Sequence, residues 1–272
     1  MRIELPDTSI GAFVHGCQLR EVDEGAVTAL KGLLRERMMI CIRGQSLTPV
    51  GFRDAMTRLG TPMLPSDGNV HPEVRELNVI SHEDRAKTGK VVGFHWHTDQ
   101  SFRERPAALT TLFGVETPAT GGDTQFANMY AAYDALRPDM KAELDQIRVV
   151  HRYRSTRKDT LARGLTAEQE EALPEVLHPI VRTHPETGRK ALYLNRNRMD
   201  RIPDFGPDRS EALLDRLMAH ATQERFTYRH KWQPGDVVIW DNRCTMHKAN
   251  GDYPEGARRY IVRMMTQGER PV

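Results

Sequence analysis

The chain is poor in cysteine, in net charge and in long apolar runs. Its 272 residues include three cysteines, Cys17, Cys41 and Cys244. The odd number, with no Cys-x-x-Cys pair, argues against a disulfide framework and a cysteine zinc site and points to a reducing compartment. Basic and acidic residues nearly balance, 39 against 37 for a formal charge of +2. Neither nucleic acid nor an anionic membrane is therefore an expected partner. No stretch approaches the roughly 18 apolar residues that would span a bilayer. The opening Met1-Arg2-Ile3-Glu4-Leu5-Pro6-Asp7 lacks the apolar core of a signal peptide, so a cytoplasmic location is expected. Without a Gly-x-Ser-x-Gly, or a cysteine in a nucleophile context, a serine or cysteine hydrolase is not supported. Linkers, repeats and low-complexity tracts are missing too, and the length suffices for a sizeable core.

What is present is a regular alternation of element signals. Asp23 to Met38 reads as a helix capped by Asp23, with Val27, Leu30, Leu33 and Leu34 on one face. Met38 to Ile42 suits a buried strand, and Thr48-Pro49 opens a second helix carrying Phe52, Met56 and Leu59. Residues 60 to 93 read as loop around one strand, Glu76 to Ser81. His95 to Asp99 and Ala108 to Glu116 look like strands, and Gly121-Gly122-Asp123 like a turn. Helical patterns cover Met129 to Leu136, Asp139 to Ile147, Thr166 to Leu173 and Ser210 to Ala221. Strands return at Phe226 to Trp232, Val237 to Trp240 and Arg259 to Thr266. Strands at both ends around a helical insert, roughly 127–222, predict a mainly β domain spanning 1–272: a sandwich or barrel core with flanking helices.

Two features carry chemistry. On a strand, residues i and i+2 share a side, so His97 and Asp99 would project together while Thr98 points away. Neutral imidazole and carboxylate suit iron(II), manganese or zinc, and a second, distant histidine, His247, would complete a three-ligand face with open positions opposite. His95 shares parity with His97 and is the rival ligand; otherwise it belongs to the surroundings of the metal or the substrate pocket, or to the surface. Near the C-terminus Arg259, Ile261 and Arg263 face one way and Arg258, Tyr260 and Val262 the other. Two arginines turned inward need anions to meet them; on an edge strand both would be solvated.

These residues sit within a longer pattern. Trp96-His97-Thr98-Asp99 is followed by Gly121-Gly122-Asp123-Thr124-Gln125-Phe126-Ala127-Asn128, with Ala131-Ala132-Tyr133. Then come Leu177-His178-Pro179, Arg182-Thr183-His184-Pro185, Trp240-Asp241-Asn242-Arg243 and His247, with Ile10-Gly11-Ala12 and Arg43-Gly44-Gln45 near the start. In this order the chain resembles, over nearly its whole length, the TauD/TfdA family of iron(II)- and 2-oxoglutarate-dependent dioxygenases. The resemblance implies a double-stranded β-helix, a jelly-roll, cupin-like core. It implies metal ligands His97, Asp99 and His247, catalytic in that role. It implies that Thr124 and Arg259 hold the distal carboxylate of 2-oxoglutarate, and that Arg263 faces the primary substrate. The implied reaction consumes oxygen, turns 2-oxoglutarate into succinate and carbon dioxide, and hydroxylates or otherwise oxidises an unactivated C–H bond. The carboxylate at Asp99 argues against halogenation, because related halogenases lack that ligand.

Departures bear on the substrate. Taurine enzymes present a histidine and an asparagine where Pro65 and Gly93 stand here, which argues against taurine itself. Arg196 and Arg198 follow Asn195 where the taurine pattern is acidic and apolar; surface exposure is the favoured reading, with Arg198 a candidate for the pocket. A small organic anion, whether carboxylate, sulfonate or sulfate ester, is the expected substrate because Arg263 needs a partner. A homo-oligomer is compatible with the sequence. Two rival readings stay open: a hydrolase or isomerase using the same metal ligands, and a binding module without catalysis.

Overall fold

Alternation along the central strands sorts side chains into two cores on opposite faces of one large sheet. The computed structural model describes residues 1–65, 69–83, 91–157, 166, 168 and 173–272. Strands β1 (Arg2–Glu4), β2 (Phe13–His15), β3 (Met39–Ile42), β4 (Pro62–Met63), β5 (Asn69–Val70), β6 (Asn78–Ser81), β7 (Ala107–Glu116) and β8 (Thr124–Asn128) come first. They are followed by β9 (Arg148–His151), β10 (Val176–Pro179), β11 (Val181–Thr183), β12 (Lys190–Leu192), β13 (Met199–Arg201), β14 (Thr227–His230), β15 (Val237–Asp241), β16 (Thr245–Ala249) and β17 (Tyr260–Gln267). The large sheet runs β1-β2-β3-β15-β7-β17-β6-β5, with β4 paired to β17. A second sheet, β14-β8-β16, is antiparallel throughout.

Met39 and Cys41, Val238 and Trp240, Leu112 and Ile261 join Phe126 and Ala127 of the second sheet in the interior core. The Phe126 and Trp240 rings meet edge to face, with centroids 5.3 Å apart. Ile40 and Ile42, Val237 and Ile239, Phe113, Val262 and Met264 face the other way, towards the two N-terminal helices. Two sheets closed over a shared core form the expected jelly-roll, and the double-sided burial explains why β3 and β15 read as continuous apolar runs.

Among the described residues the longer helices are α1 (Glu24–Arg37), α2 (Pro49–Thr57), α3 (Met129–Asp134), α4 (Pro138–Leu144) and α5 (Pro207–Ala221). Side-chain caps start α1, α2 and α3, whereas α4 and α5 open on a proline in the first turn. The Asp23 carboxylate accepts from the Ala26 amide at 2.7 Å, and the Thr48 hydroxyl from that of Gly51 at 3.1 Å. Among the described residues no helix is long and apolar enough to cross a membrane.

Several expectations need correction. Segment 127–222 holds α3 to α5 but also β9 to β13, so it is a mixed insert rather than a helical one. Its strands are three or four residues long, too short to show a period in the sequence. The strand expected over Glu76 to Ser81 begins only at Asn78. His95 to Asp99 forms no strand; His97 alone makes a bridge. The helix expected over Thr166 to Leu173 lies mostly outside the described residues.

Candidate metal centre and its two cavities

His97 and His247 are tied together through their main chains. The His97 amide donates to the His247 carbonyl at 3.0 Å, and the His247 amide to the His97 carbonyl at 2.8 Å. This reciprocal pair, at the free edge of β16, brings the two imidazole centroids to 4.1 Å. Asp99 reaches the same point through a turn rather than by strand parity. Its Oδ1 lies 3.6 Å from His97 Nε2 and its Oδ2 lies 3.7 Å from His247 Nε2. One ligand atom from each of the three residues falls within 4.8 Å of the others.

Protonation states suit a divalent metal. The His97 Nδ1 sits 2.7 Å from the His95 carbonyl, which fixes the proton on Nδ1 and leaves the Nε2 lone pair facing Asp99. Burial lowers the His97 pKa; burial, then the neighbouring His97 ring, takes His247 to about 3. Burial alone would raise the Asp99 carboxyl, but the two imidazoles, Arg263 and the Thr110 hydroxyl outweigh it and hold the group below the usual carboxylate range. Two neutral imidazoles and one ionised carboxylate are a donor set that suits non-haem iron(II).

Two further clusters of this kind occur among the described residues, Cys41–His230–Asp236 and His184–Asp241–Cys244. Both carboxylates already face a guanidinium: Arg43 reaches Asp236 at 2.5 Å, and Arg243 forks onto Asp241 at 2.8 and 2.6 Å. Those clusters are internally neutralised, and neither lines the cavities beside the His97 group.

Two cavities meet at His97 and Asp99, and His247 lines the smaller of them. The larger, about 140 Å³, is walled by Val91, Phe94 and Phe102 and by Asn195, Asn197 and Arg198. The smaller, about 40 Å³, is walled by Leu112, Thr124, Trp240, Ala249 and Arg259. Val92, Gly93, His97, Asp99 and Arg263 line both. Gly93 has φ +77°, and a Cβ there would lie 3.1 Å from His97 Cε1. Only glycine lets the chain pass this close to the imidazole in that conformation.

The arginine parity holds. Arg259 is buried and lines the smaller cavity, while the exposed Arg258 pairs with Glu116 at 2.9 Å. Arg263 donates from Nη2 to the Asn78 amide oxygen at 3.0 Å, and its buried Nε has no hydrogen-bond partner among the described residues. Thr124, on β8, accepts from Trp232 Nε1 at 3.1 Å. A hydroxyl that accepts from a donor-only indole keeps its own hydrogen for another acceptor.

Two placements differ from expectation. Arg198, for which surface exposure was the favoured reading and the pocket the alternative, lines the larger cavity. The Phe102 and Tyr153 rings, at 5.1 and 4.4 Å, and the Tyr153 carbonyl hold it there. His95 lines neither cavity; without a strand, parity with His97 means nothing, and its contribution to the centre is its carbonyl. The sequence reading missed Thr110, Asn242 and Trp232, all buried beside the centre. A threonine pair amid the apolar β7 was the available signal for Thr110, since buried hydroxyls need partners.

Known proteins are similar to this chain in sequence and fold. The profile of the family described as "Taurine catabolism dioxygenase TauD, TfdA family" matches residues 4–265. Pentalenolactone F synthase of Streptomyces arenae is 34% identical, with 96% of this chain and 93% of that protein covered. The alpha-ketoglutarate-dependent 2,4-dichlorophenoxyacetate dioxygenase of Cupriavidus pinatubonensis is 32% identical, with 94% and 93% covered. The crystal structure of AAD-2 in complex with Mn(II) and N-oxalylglycine superposes with a TM-score of 0.85 at 30% identity, covering 99% of this chain and 98% of that one.

Proposed function

The chain belongs to the TauD/TfdA family of alpha-ketoglutarate-dependent dioxygenases, and we propose that His97, Asp99 and His247 are its iron(II) ligands. The observation that carries this reading is the convergence of the three ligand atoms within 4.8 Å where two cavities meet. Bound iron(II) supplies the open positions at which 2-oxoglutarate chelates and oxygen reacts, with succinate and carbon dioxide as co-products.

The smaller cavity is the 2-oxoglutarate site. Thr124, whose hydrogen Trp232 leaves available, and Arg259 take the distal carboxylate; a fork and a hydroxyl together fix its orientation. The larger cavity takes the primary substrate. Its walls mix Val91, Phe94 and Phe102 with Arg198, and Arg263 stands at the junction with a buried N–H to offer. That combination suits a small organic anion with an apolar body, and relatives that act on 2,4-dichlorophenoxyacetate support it. Arg263 anchors the acidic group, and Arg198 lines the remote wall. The reaction hydroxylates or otherwise oxidises a C–H bond of that anion. Residues 1–272 act as one catalytic domain, and the free, buried cysteines suit a reducing cytoplasm.

Anaerobic addition of iron(II) and 2-oxoglutarate tests the reading. A weak visible charge-transfer band should develop, and Asp99→Ala should abolish both the band and turnover. A protein that binds neither, or an Asp99→Ala variant with substantial turnover, would refute the assignment. Substrate-dependent succinate release across carboxylates, sulfonates and sulfate esters then tests the anion; activity confined to neutral or cationic compounds would overturn it.

A further inference from the structure

Asp99 presents both oxygens to the centre, one towards each histidine, at 3.6 and 3.7 Å. A carboxylate so placed could close on a divalent ion with both oxygens. Two histidines and a two-oxygen carboxylate would fill four of six positions and leave two. A chelating 2-oxo acid and oxygen together need three. The chain engages one of the two oxygens itself. Thr110 Oγ1 donates to Asp99 Oδ2 at 2.6 Å, the length of a charge-assisted bond.

The direction of that bond is fixed two steps back. Thr110 Oγ1 accepts from Asn242 Nδ2 at 2.8 Å, so its own hydrogen turns to Asp99. The Asn242 amide cannot flip. Its Oδ1 accepts from the Asp99 main-chain amide at 3.2 Å and from Trp240 Nε1 at 3.1 Å, both donor-only groups. Thr98 Oγ1 also donates to the Asn242 carbonyl at 2.9 Å, which ties the same residue to the turn that carries Asp99. Trp240, Asn242, Thr110 and Asp99 are all buried, so water does not compete for these bonds.

We infer that Trp240, Asn242 and Thr110 form a positioning chain that keeps Asp99 a one-oxygen ligand through Oδ1 and so preserves the third open position. The inference rests on the metal assignment proposed above. Thr110 touches neither substrate nor metal and acts through Asp99 alone.

Cobalt(II)-loaded protein provides the test, because its visible spectrum reports coordination without turnover. Thr110→Val keeps the shape and removes the hydroxyl; Thr110→Ser keeps the hydroxyl. Wild type and Thr110→Ser should bind cobalt and 2-oxoglutarate alike. Thr110→Val should still bind cobalt, show a shifted ligand-field spectrum before the oxo acid is added, and bind 2-oxoglutarate roughly tenfold or more weakly. A Thr110→Val protein with wild-type spectrum and oxo-acid affinity would overturn the inference, as would a Thr110→Ser variant as impaired as the valine. Should Thr110→Val not fold, Thr110→Ala is read by the same criteria. Failure of the wild-type protein to bind cobalt or 2-oxoglutarate would count against the proposed function instead.

Discussion

Replacing Arg263 by glutamine separates the roles of the two cavities. The guanidinium reaches both, donates to Asn78 at 3.0 Å, and keeps a buried Nε–H without a partner among the described residues. If that N–H and its charge meet the acidic group of the primary substrate, glutamine leaves the anion without its counter-charge. Truncating one partner of a buried, hydrogen-bonded charge pair costs about 2–5 kcal/mol. Arg263 is only partly buried, so the lower end applies. About 2–3 kcal/mol corresponds to a loss of roughly 30- to 150-fold in kcat/KM, at about 1.4 kcal/mol per tenfold. Succinate release measured with the best anion of the substrate panel gives that ratio. Anaerobic 2-oxoglutarate titration, followed by the charge-transfer band, gives the second number, which should change less than about threefold if Arg259 holds the oxo acid as proposed. The converse result, a weakened oxo acid with unchanged kcat/KM for the anion, would show that Arg263 serves the smaller cavity and would refute the division of labour.

Other perturbations reach the same machinery from different sides. Trp232→Phe removes the indole donor to Thr124; a neutral hydrogen bond is worth about 0.5–1.5 kcal/mol, so the 2-oxoglutarate Kd should rise roughly two- to twelvefold with metal affinity unchanged in a metal titration. Gly93→Ala places a Cβ 3.1 Å from His97 at φ +77°; backbone strain of about 1–2 kcal/mol should lower Tm, and metal affinity should fall as the imidazole is pushed aside. Acid stability should depend on Asp241. Burial would raise its carboxyl, but His184 and Arg243 hold it well below the usual range. The stabilisation is therefore complete above the unfolded value of about 4 and is lost as pH falls below it. Urea unfolding should show that loss in wild type, and Asp241→Asn should flatten it; an unchanged acid slope would contradict the account.

The fold was legible wherever an element carries a single apolar face or a continuous apolar run. α1 and α2 carry caps and a single apolar stripe, and both appear within one residue of their expected starts. β3 and β15 are buried on both faces and read as apolar runs, and β7 was expected as a strand despite its threonine pair. The short strands of the insert were not found. Three or four residues cannot establish a period, and their pairing is decided by partners distant in the chain, such as Val176 opposite His151. β16 was missed for another reason: Thr245-Met246-His247-Lys248-Ala249 is neither alternating nor apolar, and it is held as a strand by pairing with β8.

The proposed metal ligands follow a different logic. His97, Asp99 and His247 stand out in the sequence because few residue types bind such an ion and the surrounding motifs single out these copies. Strand parity does not bring His97 and Asp99 together. A single bridge to His247 and a turn pinned by Asn242 bring the three side chains together. For Arg259 and Arg263 parity was the right argument, because β17 is a true strand with Ile261 in the interior core. The contrast explains why substrate recognition was the least legible part. Apart from Arg263 on β17, the larger cavity is walled by residues that belong to no long element: Val91 and Phe94 before the bridge, Phe102 after it, Asn195 to Arg198 between β12 and β13. Their direction is set by contacts such as Arg198 stacked on Tyr153, which no periodicity encodes. The sequence therefore specifies the reaction more sharply than the molecule on which it is performed.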